Sequence, residues 1–241
     1  MKVGALYGIG VGPGDPDLIT VKAVDILSRC LHVFVPKAKP GVGSLSLSIA
    51  KHHLRPDAEI HEIVYPMTTD EGELASRWRE ASDQIIAVLR TGKDACFLTL
   101  GDPFLYSTYI YLVQALRKRN SDIKVVTVPG VTAFSAAAAL GEFPVGKGKE
   151  PVIVIPTADD LTAVRRVLRM TGTVVLMKIG QRLPQVLDAL EEARAIDRAV
   201  FVARAGQADE RVETDLRKLR KGSSESGNLS LILVHVSEER T

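Results

Sequence analysis

The chain has 241 residues, enough for one large domain or two smaller ones with a substantial core. Its 46% hydrophobic and 25% charged residues, with a formal net charge of +2, are typical of a soluble globular protein and give no overall attraction to nucleic acid. The chain has two cysteines and no apolar run near 20 residues, which argues against a disulfide framework, a cysteine zinc site or a membrane span, so we expect a cytoplasmic protein.

Short apolar runs of β type alternate with amphipathic runs along the chain. The predicted strands are 6–11, 31–35, 95–100, 124–128, 152–155, 173–177, 199–203 and 229–236. The predicted helices carry their apolar positions within 19–30, 74–89, 105–116, 161–168, 183–190 and 212–219, and 220–228 is expected to be an exposed hairpin or loop. Such alternation requires crossover connections, which predicts a mainly parallel α/β sheet with ligands at the carboxyl ends of its strands.

The regular alternation is lost between residues 129 and 151, where glycine, lysine and proline accumulate. We therefore predict two α/β domains, an N-terminal one over 1–130 and a C-terminal one over 131–241. Soon after the junction, Thr157 and Asp160 have the spacing of a capping box and predict the start of a helix there.

A glycine-rich turn follows the first predicted strand, with glycines at 8, 10, 12 and 14 before Asp15 and Pro16. Glycine serves where the backbone takes positive φ or approaches another molecule closely, and Asp-Pro predicts a helix N-cap with proline in the first turn. A dinucleotide fingerprint does not fit, because Pro13, Asp15 or Asp17 occupies the position of its third glycine in the three possible registers. The turn predicts a ligand-binding edge of another kind.

Two further glycine turns follow predicted strands, at 101–106 (Gly-Asp-Pro-Phe-Leu-Tyr) and at 129–133 (Pro-Gly-Val-Thr-Ala). Each alone is typical of an ordinary loop. Together with the first turn they place three permissive backbone segments at strand ends, where α/β proteins bind small ligands.

These three turns, in this order, resemble the signature set of the tetrapyrrole methylase family, the S-adenosylmethionine-dependent enzymes of corrin and sirohaem synthesis. The resemblance covers nearly the whole chain. The opening 6–12, the segment 128–135 and Met177-Lys178-Ile179-Gly180 look most like the branch that methylates C-20 of precorrin-2 or cobalt-factor II. It implies two α/β domains with the cofactor in a cleft between them, in a homodimer.

The resemblance also implies which residues bind S-adenosyl-L-methionine and its product S-adenosyl-L-homocysteine. They are Pro13 at the cleft edge, Leu100, Gly101, Asp102 and Leu105 against the amino-acid end, Thr132 and Ala133 at the start of the second domain, and Met177 and Ala205 beside the adenosine. Related enzymes often carry glycine at the position of Ala205.

The implied substrate is a tetrapyrrole with many carboxylates, and Lys37, Lys39 and Lys147 lie in cationic loops suited to bind it. Solvated surface lysines are the alternative. The five histidines show no helical i,i+4 pair, so we expect no metal ligands from the protein. The segment 141–148 approaches a P-loop but has Gly148 where the Mg²⁺-binding hydroxyl would be, which argues against phosphate hydrolysis.

The expected reaction moves the sulfonium methyl of S-adenosylmethionine to C-20 of the macrocycle. The macrocycle itself is the nucleophile, so alignment of the reactants is the main task of the protein. Asp15 and Tyr106 are candidate bases for the proton that leaves, with helix capping as the alternative for Asp15. Other readings stay open: uroporphyrinogen-III methylation, diphthine synthesis, ribosomal RNA methylation, a dinucleotide-dependent oxidoreductase, or a non-catalytic carrier.

Overall fold

The computed structural model describes residues 2–37, 41, 43–65, 70–119, 122–157, 160–221 and 229–237. The chain forms two compact units, which divide between Thr132 and Ala133. The first two glycine turns lie in the first unit, the third turn ends at the division, and the strands predicted from residue 152 onward lie in the second unit.

The N-terminal unit is a parallel five-stranded sheet with helices on both faces. Its strands and helices, in chain order, are β1 (Leu6–Gly10), α1 (Val21–Leu27), β2 (His32–Lys37), α2 (Leu45–Ala50), β3 (Glu59–Val64), α3 (Glu71–Arg90), β4 (Ala95–Thr99), α4 (Tyr109–Arg119) and β5 (Val125–Val128). The strand order is β3-β2-β4-β1-β5, and every neighbouring pair is parallel. All five carboxyl ends therefore lie along one edge.

The central strands are continuous apolar runs because both of their faces are covered. All five residues of β4 are buried, and alternate side chains enter two different cores. Phe97 packs on one face with residues of α3 and α4, whereas Cys96 and Leu98 pack on the other with residues of α1.

The C-terminal unit has a mixed sheet. Its elements are α5 (Ala133–Leu140), β6 (Val152–Pro156), α6 (Thr162–Val167), β7 (Gly172–Met177), α7 (Leu183–Glu192), β8 (Ala199–Ala203), β9 (Arg211–Glu213) and β10 (Ser230–Val236). The strand order is β6-β7-β10-β8-β9. Among the strands that the structure describes in this unit, β6 and β7 alone pair in parallel, while β10 is antiparallel to both of its neighbours and β9 is antiparallel to β8.

The two α/β units predicted from the sequence are confirmed, and the mainly parallel sheet holds for the first unit alone. In the second unit it was wrong, because β10 enters between β7 and β8 in the reverse direction. The helix predicted around Val212 was also wrong: that residue lies in β9, and a short 3₁₀ helix follows at Leu216–Lys221. Most of the predicted 220–228 loop lies outside the described residues.

Candidate functional site

The three glycine turns meet at the carboxyl edge of the N-terminal sheet. A Cβ placed on Gly10 would lie 2.6 Å from the carbonyl oxygen of Gly101 and 2.6 Å from the amide nitrogen of Gly130. The first two turns are also joined by a bridge, in which the Gly101 amide donates to the Gly12 carbonyl at 2.7 Å. Gly10 and Gly130 must be glycines because a side chain at either position would separate the three backbones.

Asp102 connects the second turn to the third. One carboxylate oxygen accepts from the Phe104 amide at 2.8 Å, which closes its own loop, and the other accepts from the Gly130 amide at 3.1 Å. An ionised carboxylate satisfies two amides in this way and makes the stronger, charge-assisted kind of hydrogen bond. Asp102, which the resemblance assigns to cofactor binding, therefore also has a structural role that its sequence position does not reveal.

Gly101 is the residue of this edge with room beside it. Its φ is +67°, and a Cβ built there would have no heavy atom within 4 Å. Leu100 packs as a partly buried side chain on the core below, and Leu105 is half-buried. Gly101 is buried, yet there is free space where its side chain would be, as expected of a backbone that receives a ligand.

Asp15 and Pro13 are built into the first turn. Pro13 is buried, and the Asp15 carboxylate accepts from the Asp17 amide at 2.9 Å as the N-cap of a short 3₁₀ helix at Pro16–Leu18. The predicted N-cap with proline in the first turn is confirmed, although the helix is 3₁₀. This hydrogen bond engages one oxygen of the Asp15 carboxylate, which is one of the two candidate bases.

Tyr106, the other candidate base, has a left-handed backbone with φ +51° and a side chain 37% exposed. Burial raises the pKa of its phenol above the ordinary value of 10.0. The group is therefore protonated at neutral pH and is a hydrogen-bond donor rather than a base. Left-handed conformations of non-glycine residues cost energy and are enriched at functional sites.

In the C-terminal unit, the ends of three strands form a comparable edge. Met177 pairs with Pro156 of β6 on one side and with Leu231 of β10 on the other. Ala203 pairs with Ser230, so β8 ends beside the same start of β10. Met177 and Ala205, the two residues assigned to the adenosine by resemblance, are therefore near the same edge of this sheet.

Non-glycine residues in left-handed conformation follow directly after these strands. Lys178 has φ +57° and Arg204 has φ +51°. The Arg204 amide donates to the Leu229 carbonyl at 3.0 Å, and Leu229 itself has φ +49°. Each such residue costs about 1–2 kcal/mol in backbone strain, so this edge holds an unfavourable conformation at several points.

Thr157 lies at this edge with a buried and unpaired hydroxyl. Its amide donates to the Met177 carbonyl at 2.7 Å, whereas Oγ1 has no hydrogen-bond partner among the described residues. The predicted capping box was wrong, because Asp160 accepts from the Thr162 amide at 2.9 Å instead. A buried hydroxyl without a partner costs about 1–3 kcal/mol, which a polar group of a ligand would recover.

The remaining predicted residues are placed as follows. Thr132 and Ala133 are half-buried, and α5 begins at Ala133. Lys37 is bound to Glu62, with Nζ 2.6 Å from Oε1, and Lys147 is exposed. Lys39 lies outside the described residues. No helix in the described part of the chain is long and apolar enough to cross a membrane.

Comparison with known proteins identifies the family. The model of the tetrapyrrole (corrin/porphyrin) methylases matches residues 5–220. The cobalt-precorrin-2 C(20)-methyltransferase of Salmonella typhimurium is 33% identical over 202 residues, 84% of each chain. The precorrin-2 C(20)-methyltransferase of a Sinorhizobium species is 32% identical over 240 residues, 96% of this chain and 95% of the relative.

Solved structures share the fold. A cobalt precorrin-4 methyltransferase superposes with a TM-score of 0.74 at 24% identity, over 96% of this chain and 94% of the other. The uroporphyrin-III C-methyltransferase of Thermus thermophilus, solved in complex with S-adenosylhomocysteine, has a TM-score of 0.63 at 21% identity, over 96% and 97% of the two chains.

Proposed function

Because the chain belongs to the tetrapyrrole methylase family, we propose that it is an S-adenosylmethionine-dependent methyltransferase acting on C-20 of precorrin-2 or cobalt-factor II. The main support for this proposal is that its three glycine turns, far apart in sequence, meet at one sheet edge. There they surround Gly101, which has free space where a side chain would be. The names of the two relatives support C-20 as the position.

Each edge, taken by itself, offers polar and apolar groups suited to a cofactor with polar ends and an apolar middle. The cofactor supplies a methyl group on a positively charged sulfur. In the N-terminal unit, we assign its binding to Pro13, Leu100, Gly101, Asp102, Leu105 and Thr132. In the C-terminal unit, we assign it to Ala133, Met177 and Ala205, and we add Thr157, whose buried unpaired hydroxyl suits a polar edge of a ligand.

Positioning is the main contribution of the protein in this proposal. Alignment of two reactants lowers a barrier by roughly 7–11 kcal/mol, which is sufficient without a protein nucleophile. Tyr106 is protonated, so its proposed role is that of a donor to the substrate. Asp15 serves as a cap and keeps the first turn in place.

The substrate carboxylates require cations, and we propose Lys147 and Lys37 for them. Lys147 is exposed, whereas Lys37 must exchange Glu62 for a substrate carboxylate. A homodimer in the cytoplasm completes the proposal, and light scattering of the purified chain measures the oligomeric state.

An anaerobic assay tests the assignment. The protein is incubated with S-adenosylmethionine and, separately, with precorrin-2, cobalt-factor II and uroporphyrinogen III. Mass spectrometry should find one added methyl, and NMR should place it on C-20 of one of the first two compounds. Methylation of uroporphyrinogen III alone, or cofactor binding with no mass gain on any macrocycle, would overturn the C-20 assignment.

A further inference from the structure

Three side chains of metal-binding type form a cluster on β3, the outermost strand of the N-terminal sheet, and on its neighbour β2. His32 begins β2 and pairs with Glu59, which begins β3, and His61 follows two residues later on the same face of β3. Ligand atoms of all three side chains lie within 4.8 Å of one another. These residues do not show the i,i+4 spacing of a helical metal site, because they come together across two neighbouring strands.

The distances suit one ion. His32 Nδ1 is 3.1 Å from His61 Nε2 and 3.2 Å from a carboxylate oxygen of Glu59. With metal–ligand bonds of about 2.0–2.2 Å and near-tetrahedral angles, two ligand atoms of a zinc-type ion lie about 3.3 Å apart. The third distance, from Glu59 to His61, closes by rotation of the Glu59 side chain, which is 56% exposed.

Hydrogen bonding alone satisfies this arrangement poorly. His32 Nδ1 lies within reach of both a carboxylate and a second ring nitrogen, yet it carries at most one proton. If that proton points to Glu59, the His61 nitrogen is left beside an engaged donor. If His61 donates instead, the Glu59 carboxylate faces a lone pair. A cation between the three atoms satisfies all of them.

The surroundings hold two of the ligands in place. The His32 side chain is only 9% exposed. The His61 ring stacks on Phe34, with centroids 4.5 Å apart and planes at 20°. Rings fixed in this way keep their nitrogens directed to the ion, as the outer contacts of metal sites do. The Glu59 side chain is exposed to solvent, so an ion would reach the site from the side of Glu59.

We infer that His32, Glu59 and His61 form a binding site for a divalent transition ion of the zinc class, with a fourth position open to water. Imidazole and carboxylate ligands select such ions over Mg²⁺ and Ca²⁺, which prefer oxygen alone. The site lies at the amino ends of β2 and β3, the opposite edge of the sheet from the glycine turns. It fastens the edge strand β3 to β2 and takes no part in methyl transfer.

The test uses the full chain without an affinity tag, first treated with a chelator. Titration with Co²⁺ should give the visible absorption of tetrahedral coordination at one ion per chain, and Zn²⁺, but not Ca²⁺, should displace it. Zn²⁺ should also raise the melting temperature of the chain.

Three variants make the test specific. His61→Gln and Glu59→Gln, both at partly or fully exposed positions, should lower Co²⁺ affinity at least tenfold and abolish the effect of Zn²⁺ on melting. His52→Gln, an exposed histidine of the same unit, should leave both unchanged. Circular dichroism verifies that each variant is folded. No stoichiometric binding by the unmodified chain, or equal binding by His61→Gln, overturns the inference, and neither result bears on methyl transfer.

Discussion

The two sheets of this protein shape their candidate binding edges by different means. In the N-terminal unit, Gly10 and Gly130 allow three backbones to touch because neither has a side chain. In the C-terminal unit, Lys178 and Arg204 take left-handed conformations that glycine would adopt at lower cost. The first edge relies mainly on the absence of side chains, although Tyr106 is also left-handed there, and the second tolerates strain and a buried unpaired hydroxyl. Close packing of backbones and stored strain are thus two ways to expose main-chain groups.

Replacement of Gly130 should damage the glycine edge most. In Gly130→Ala the new Cβ would lie 2.2 Å from the Gly101 carbonyl oxygen, a backbone atom that cannot rotate away. We expect the free energy of unfolding in urea to fall by about 3 kcal/mol. Gly43→Ala, with nothing within 4 Å of its Cβ, is the matched control and should stay within about 0.5 kcal/mol of the parent. Equal stability of the two variants would contradict the packing argument.

Gly101→Val separates binding from folding at the same edge. A Cβ at this buried position meets no heavy atom within 4 Å, so we expect the fold to persist with a strain cost of about 1–2 kcal/mol from the positive φ. Calorimetry should find at least a hundredfold loss of affinity for S-adenosylhomocysteine. Gly148→Val carries the same kind of strain at φ +59°, also in open space, and should bind normally. Normal affinity in Gly101→Val would remove this loop from the cofactor site.

Thr157→Val tests the buried hydroxyl of the other edge. The change removes an unpaired polar atom and keeps the shape of the side chain, so stability should be unchanged or rise by up to about 1 kcal/mol. Affinity for S-adenosylhomocysteine should fall by roughly two- to tenfold, the equivalent of one hydrogen bond. Thr173→Val, buried at the opposite end of β7, should leave affinity unchanged. A loss of affinity in both variants would point to a general effect on the sheet.

Lys178→Gly should change the free energy of unfolding by no more than Thr157→Val does. Relief of the left-handed conformation offsets the greater freedom of glycine in the unfolded chain, which leaves a gain of up to about 1 kcal/mol. Arg194→Gly, with φ +49° just after α7, should gain a similar amount. Only Lys178→Gly should alter affinity for S-adenosylhomocysteine. If neither variant, or both, changes affinity, the strain at Lys178 is unrelated to the site.

The same contrast explains which features of the structure could be predicted from the sequence. Glycine and proline encode turns directly, so the three turns, the Asp15 cap and most strands of the parallel sheet were predictable. Left-handed Lys178 and Arg204 have no compositional signal, because tertiary contacts impose their conformation. β10 inserts between β7 and β8 in the reverse direction. This topology cannot be predicted from the periodicity of the sequence.

The histidine cluster shows the same limit in another form. His32 and His61 are far apart in sequence, and only the register of β2 against β3 brings them together. Register depends on which faces are buried across the whole sheet, so a search for spacing along one element does not find such pairs.

The position of β1 between β4 and β5 has a consequence for how the chain is made. Its two partners, β4 and β5, begin about 90 and about 120 residues later in the chain. At synthesis rates of about 5–20 residues per second, the first strand leaves the ribosome roughly 5–25 s before its last partner exists. Throughout that interval, the backbone amides and carbonyls of β1 are hydrogen-bonded to water and not to the strands that they meet in the folded sheet. The N-terminal sheet therefore cannot be completed until β5 has been made.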